Sequence, residues 1–76
     1  MRNPKSPSPI DIKVGKRIRV ARCEAGLTQQ DLGRITNRTF QQIQKYEAGQ
    51  NRISAGVLFE ISNRLDRPLN WFFAEC

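Results

Sequence analysis

The chain has 76 residues, which suffices for one domain but not for an enclosed catalytic pocket beside a core. Its 13 Lys and Arg against 7 Asp and Glu give a formal net charge of +6, and 11 of the basic side chains fall within residues 1–52, so one part of the surface should attract a polyanion. Having no His and only 2 Cys argues against a tetrahedral zinc site and a disulfide framework, and no apolar run approaches the ~20 residues of a membrane span.

Residues 1–9 hold three prolines and two serines and no apolar segment, so they read as a disordered arm rather than a signal peptide. Arg2 and Lys5 give that arm either a weak hold on phosphates or no role at all. Residues 11–25 form the first helical pattern: Val14, Ile18, Ala21 and Ala25 recur on one face. Asp11 is the expected N-cap, and Gly26 the residue that ends the helix. Thr28-Gln29-Gln30-Asp31 has the Thr-x-x-acid form of a capping box and opens a second helix, with Leu32 facing inward and Ile35 a further inward candidate. Gly33 costs about 1 kcal/mol against Ala inside a helix, which points to a close backbone approach at that spot.

Thr36-Asn37-Arg38 reads as a turn, since Asn tolerates left-handed backbone angles. Thr39-Phe40-Gln41-Gln42 is a second capping box, Thr-x-x-Gln, and starts a third helix that Gly49 ends. Gln50-Asn51-Arg52-Ile53 is a polar loop with one apolar anchor. Ser54 caps a fourth helix whose buried stripe is Val57, Leu58, Ile61 and Leu65. Asp66-Arg67-Pro68 breaks it, and Leu69 begins a short last helix rich in aromatics. The expectation is an all-α fold: a compact bundle of five short helices over residues 10–76, with a central helix-turn-helix.

Two short helices joined by a tight turn leave the second one protruding, able to enter the ~12 Å wide major groove of DNA. At 100° per residue, Ile43, Tyr46 and Glu47 share one side of the third helix. Opposite them lie Gln41 and Lys45, flanked by Gln42 and Gln44, with Phe40 at the border. Glutamine pairs with adenine N6/N7, lysine with guanine O6/N7, and an aromatic edge packs on a thymine methyl. By composition alone the same face also fits an ordinary solvated helix surface, and Phe40 a partly buried core position. Helix N-termini and nearby basic groups attract phosphates, which brings in Gln29 and the Asn51-Arg52 loop.

The sequence resembles the lambda-repressor-like DNA-binding domains, the Cro/C1-type or XRE family. The residues that carry the resemblance run from Val14 to Phe73: Gly15-x-x-Ile18, Arg22-x-x-x-Gly26-Leu27-Thr28-Gln29, Asp31-Leu32-Gly33, Thr39, Ile43, Tyr46-Glu47-x-Gly49, Ile53-Ser54 and Leu69-Asn70-Trp71-Phe72. It implies that Phe40, Gln41, Gln44 and Lys45 read bases. By the same resemblance Gln29, Asn51 and Arg52 would contact the DNA backbone, and Arg38, Thr39 and Gln42, which flank the start of the third helix, are expected to join them. Arg22 and Glu47 would form a bracing ion pair between helices. Two departures stand out: Asn37 replaces the usual turn glycine, and Arg38 stands where the family places a buried Val or Ile. Because an unpaired buried charge is very costly, Arg38 is expected to snorkel, with its stem on the core and its head at solvent or phosphate.

The function implied is a sequence-specific transcriptional regulator of bacterial or prophage origin. It would act in the cytoplasm on the nucleoid, binding double-stranded operator DNA as a homodimer, with no cofactor, membrane or attached ligand-binding domain. Trp71-Phe72-Phe73 would supply either the dimer contact or the closure of the monomer core. Competing readings are the antitoxin of a toxin–antitoxin pair and an interaction or RNA-associated module of the same fold. An enzyme has the least support, since Asp31 and Glu47 have structural explanations and the other acidic residues are scattered.

Overall fold

The computed structural model describes residues 8–74. Helices α1 (Pro9–Glu24), α2 (Gln29–Ile35), α3 (Phe40–Glu47) and α4 (Ala55–Arg64) are followed by one turn of 3₁₀ helix, Leu69–Phe73. The all-helical class is as expected, and the short last helix expected from Leu69 is a 3₁₀ turn, so the α-helices number four among the described residues. Pro68 forces an extended entry, no side chain caps it, and a five-residue segment closes more readily with the tighter hydrogen-bond pattern.

The start of α1 is a correction. Ser8, not Asp11, is the N-cap. Ser8 Oγ accepts from the Asp11 backbone N–H, the Asp11 carboxylate accepts from the Ser8 N–H, and Pro9 occupies the first turn, where a missing N–H costs nothing. Of the arm expected over residues 1–9, residues 1–7 lie outside the described residues, while Ser8 and Pro9 belong to the helix.

The box at Thr28 forms as expected, with Thr28 Oγ1 accepting from the Asp31 N–H and Asp31 Oδ2 from the Thr28 N–H at 2.9 Å. The hydrogen bond from the Thr28 backbone is the main reason the Asp31 carboxyl is held below the usual carboxylate range. A lowered value means that the stabilisation exists above the unfolded-state value and is lost as pH falls through the folded-state one. An NMR titration should give Asp31 a midpoint below that of an ordinary aspartate, and Thr28→Ala, which removes the hydroxyl but keeps the backbone N–H, should move it only part of the way back up. An unshifted midpoint in the wild type would contradict the cap. At Thr39 the cap is one-sided: Oγ1 accepts from the Gln42 N–H without the reciprocal bond from the Gln42 side chain.

All four α-helices end the same way, with one residue at positive φ (Gly26, Asn37, Gly49, Asp66) and the next N–H donating back to a carbonyl five residues earlier. Asn37, at φ 58°, does what the turn glycine would do, and its neighbour Arg38 donates its N–H to Gly33 O at 2.7 Å. Asp66 plays the same part at φ 57°.

The core is Val14, Ile18 and Ala21 of α1, Leu32 of α2, Ile43 and Tyr46 of α3, Leu58 and Ile61 of α4, Leu65, and Phe72. Leu27, Ile53, Val57 and Trp71 pack against it from the rim. Ala25, expected on the apolar face of α1, is exposed because it is already the C-cap. Thr36 is fully buried, its Oγ1 donating to Leu32 O at 2.7 Å, so it belongs to the end of α2 rather than to an open turn.

Two glycines set the helix spacing. A Cβ on Gly33 would stand 2.6 Å from Arg38 O, so the turn folds back directly over α2. A Cβ on Gly15 would stand 2.2 Å from Tyr46 O and 3.0 Å from Glu47 O, so α1 lies against the backbone at the end of α3. These contacts leave α3 held along its inner side and free along its outer side.

Candidate nucleic-acid interface

The ridge on α3 follows from its sequence. Ile43, Tyr46 and Glu47 are buried, whereas Phe40, Gln41, Gln42, Gln44 and Lys45 are all exposed. Phe40 keeps 37% of its surface, so it sits at the border of the face rather than in the core. The helix is short, and its orientation depends on what grips its inner side.

That grip is a hydrogen-bonded ion pair. Arg22 Nε donates to Glu47 Oε2 at 2.6 Å and Arg22 Nη2 to Glu47 Oε1 at 3.0 Å. Arg22 Nη1 also donates to Leu27 O at 2.8 Å. The side chains are only 11% and 4% exposed, and the bond to Glu47 is the main cause that raises the Arg22 guanidinium above its ordinary value. One side chain of α1 thus fixes the end of α3 and the loop leading into α2. Gln29 Nε2 completes the network by donating to Glu47 Oε1 at 3.0 Å. The Gln29 amide therefore has a defined orientation and keeps its oxygen and one N–H.

Arg38 behaves as its position requires. Its side chain is 22% exposed, and its Nη1 donates both to Thr36 O and to Glu60 Oε1, the latter at 3.0 Å. The charge is neither sealed in the core nor unpartnered. Arg52 is exposed and lies 3.9 Å from Asp11 Oδ2, which ties the loop after α3 to the cap of α1. Asn51 is exposed in that loop, and Thr39 is exposed at the N-cap of α3. Gly49 packs this loop closely on Ile12: an added Cβ would lie 2.9 Å from its Cγ1.

In the 3₁₀ turn Phe72 is fully buried, which commits it to the monomer core. Trp71 meets Phe72 edge-on at 5.1 Å between ring centroids. Arg17 and Arg67 stand 3.9 and 4.7 Å from the centre of its ring, and Arg17 Nε donates to Trp71 O at 3.0 Å. Leu69 and Phe73 remain exposed.

Sequence reasoning missed Glu60 as the partner of Arg38, Asp11 as the partner of Arg52, and Gly15 as a packing position. The spacing Ser8-Pro9-Ile10-Asp11, the same Ser/Thr-x-x-acid pattern as the box at Thr28, signalled the cap at Ser8 but not the contact of Asp11 with Arg52. For Glu60 there was no signal, because the contact joins residues on different elements.

The helix-turn-helix family model HTH_3 matches residues 18–72. An uncharacterized HTH-type transcriptional regulator of Sinorhizobium medicae is 51% identical over 73 residues, covering 96% of this chain and 52% of that protein. A second relative, an uncharacterized transcriptional regulator in the ATPase CF(0) region of Rhodospirillum rubrum, is 46% identical over 66 residues, covering 87% of this chain and 61% of its own length. The chain thus spans about half the length of the S. medicae relative. Among solved structures, the restriction-modification controller protein C.AhdI from Aeromonas hydrophila superposes with a TM-score of 0.78 at 25% identity, over 83% of this chain and 96% of that one. The helix order, the braced α3 and a match that takes in all but the ends of the chain agree, and the protein belongs to the HTH_3 helix-turn-helix family, of the XRE or Cro/C1 type.

Proposed function

We propose that the chain is the DNA-binding unit of a sequence-specific transcriptional regulator that inserts α3 into the major groove of an operator. The observation that carries this reading is the exposed row Gln41, Gln44 and Lys45 on a helix whose other side is locked by the Arg22–Glu47 pair. Gln41 and Gln44 are the adenine readers, Lys45 the guanine reader, and Phe40 packs on a thymine methyl. Gln29, Thr39, Gln42, Asn51 and Arg52 hold the sugar-phosphate backbone, joined by Arg38. Dimeric binding goes with the reading: two copies would set their α3 helices about 34 Å apart in successive major grooves, and Leu69 and Phe73 are apolar surface suited to the contact. Action on the nucleoid in the cytoplasm belongs to the same proposal.

Selection from random duplexes followed by mobility shifts provides the test. Gln44→Ala should weaken binding to the selected duplex by about 1–3 kcal/mol and relax the preference at one base pair. Arg52→Ala should weaken selected and scrambled duplexes alike and lower the salt slope by about one. Equal losses on both duplexes for Gln44→Ala would remove its base-reading role.

A further inference from the structure

Arg38 sits immediately before Thr39, the N-cap of α3, where exposed N–H groups and the helix dipole favour an anion. It lines two adjoining surface grooves. One is formed with Thr36, Asn37, Gln42 and Glu60, the other with Gly33, Arg34, Asn37, Thr39 and Gln42. Gln42, proposed to hold the backbone at this elbow, therefore shares a groove with a carboxylate, and Thr39 lies in the adjoining one. Glu60 reaches in from α4, 22 positions away in sequence, and takes one N–H of Arg38 Nη1 while Thr36 O takes the other. Nε and Nη2 keep three N–H groups. Both partners touch solvent, Glu60 at 39% and Arg38 at 22% exposure, so they can separate without opening the core.

We propose that Glu60 is a specificity-determining residue: its carboxylate occupies the Arg38 guanidinium as an internal stand-in for a backbone phosphate. Arg38 then adds to binding only where a well-fitted duplex brings a phosphate close enough to displace Glu60. A poorly fitted duplex meets a neutralised arginine and a repelling carboxylate. A carboxylate and the two non-bridging oxygens of a phosphodiester are both anionic acceptors for guanidinium N–H groups, so one can replace the other on Arg38. The effect is to lower sequence-independent affinity more than specific affinity. The inference rests on the DNA-binding reading and concerns the tuning of that same surface.

The test uses the whole chain, the duplex it selects from a random pool, and a scrambled duplex of equal length and composition. Wild-type binding is measured first, and failure to prefer the selected duplex would overturn the DNA-binding reading itself. Given that preference, E60Q should tighten binding to the scrambled duplex and steepen its salt slope by about 0.9, so that the gain shrinks roughly three- to fourfold between 50 and 200 mM salt. Preference for the selected duplex should fall. E60A should behave like E60Q, and unchanged melting of either variant assigns the effect to the interface. In an R38Q background the E60Q change should add nothing. Unchanged scrambled-duplex affinity in both Glu60 variants would overturn the inference. So would an equal gain in the R38Q background, because Glu60 would then act only through its general negative charge.

Discussion

Glu47→Ala is expected to destabilise the protein by about 3–5 kcal/mol, because it leaves the Arg22 guanidinium nearly buried with no counter-charge. Domains carry roughly 0.05–0.15 kcal/mol of stability per residue, or about 4–11 kcal/mol for a chain of 76 residues, so the loss is a large share of the total. The damage is not confined to one pair. Arg22 also holds Leu27 O, and Glu47 orients Gln29, so α3 and the start of α2 lose a common anchor. Urea denaturation should show a lower midpoint at unchanged slope. Replacing both partners by apolar residues of similar volume, Arg22→Met with Glu47→Leu, should cost less than Glu47→Ala alone, since no charge is then stranded. The double variant should nevertheless bind DNA less well, because the Gln29 amide loses its partner. A loss below about 1 kcal/mol for Glu47→Ala would mean that the pair does not brace the fold.

Gly15→Ala is expected to cost about 3 kcal/mol or more, the upper end for overpacking, although alanine favours helix by about 1 kcal/mol. The added Cβ would meet Tyr46 O at 2.2 Å and Glu47 O at 3.0 Å. Both are backbone atoms, so no side chain can rotate away and α1 must separate from α3. Separation strains the Arg22–Glu47 bonds as well, and DNA binding should fall with stability. Gly56→Ala is the matched control. It lies in the first turn of α4 with nothing within 4 Å of the new atom, so it should be neutral or stabilise by up to about 1 kcal/mol. Opposite signs at the two glycines support the close approach. A harmless Gly15→Ala would contradict it.

The outward face of α3 was legible because it depends on only one helix. Phe40–Glu47 has apolar or pairing side chains at Ile43, Tyr46 and Glu47, and the geometry of a helix then forces Gln41, Gln44 and Lys45 outward. Thr28, Thr39 and Ser54 were legible as caps because a cap is a bond between residues three apart. Even the left-handed Asn37 could be read, from the chemistry of one side chain. The ion pair of Arg22 with Glu47 was implied only by resemblance to a family, since nothing in the spacing of those two residues requires it. The start of α1 was misplaced by three residues because Asp11 suits both the cap and the third helical position, and only the Ser8 bonds distinguish them.

What the amino-acid order determined unaided was local: the caps and stops of most helices, most of each apolar stripe, and which side chains α3 offers outward. Hydrogen bonds across three to five residues and the 3.6-residue period act within one element, so they survive in a linear reading. Tertiary packing decided which distant groups met. Gln29 finds Glu47 across 18 positions, Arg38 finds Glu60 across 22, and Arg17 finds the Trp71 carbonyl across 54. Such partners are set by helix placement, and that placement turns on contacts as small as the missing Cβ of Gly15. The outward ridge on α3 is therefore written in the chain, while its brace at Glu47 and its neighbour Glu60 exist only once the helices are stacked.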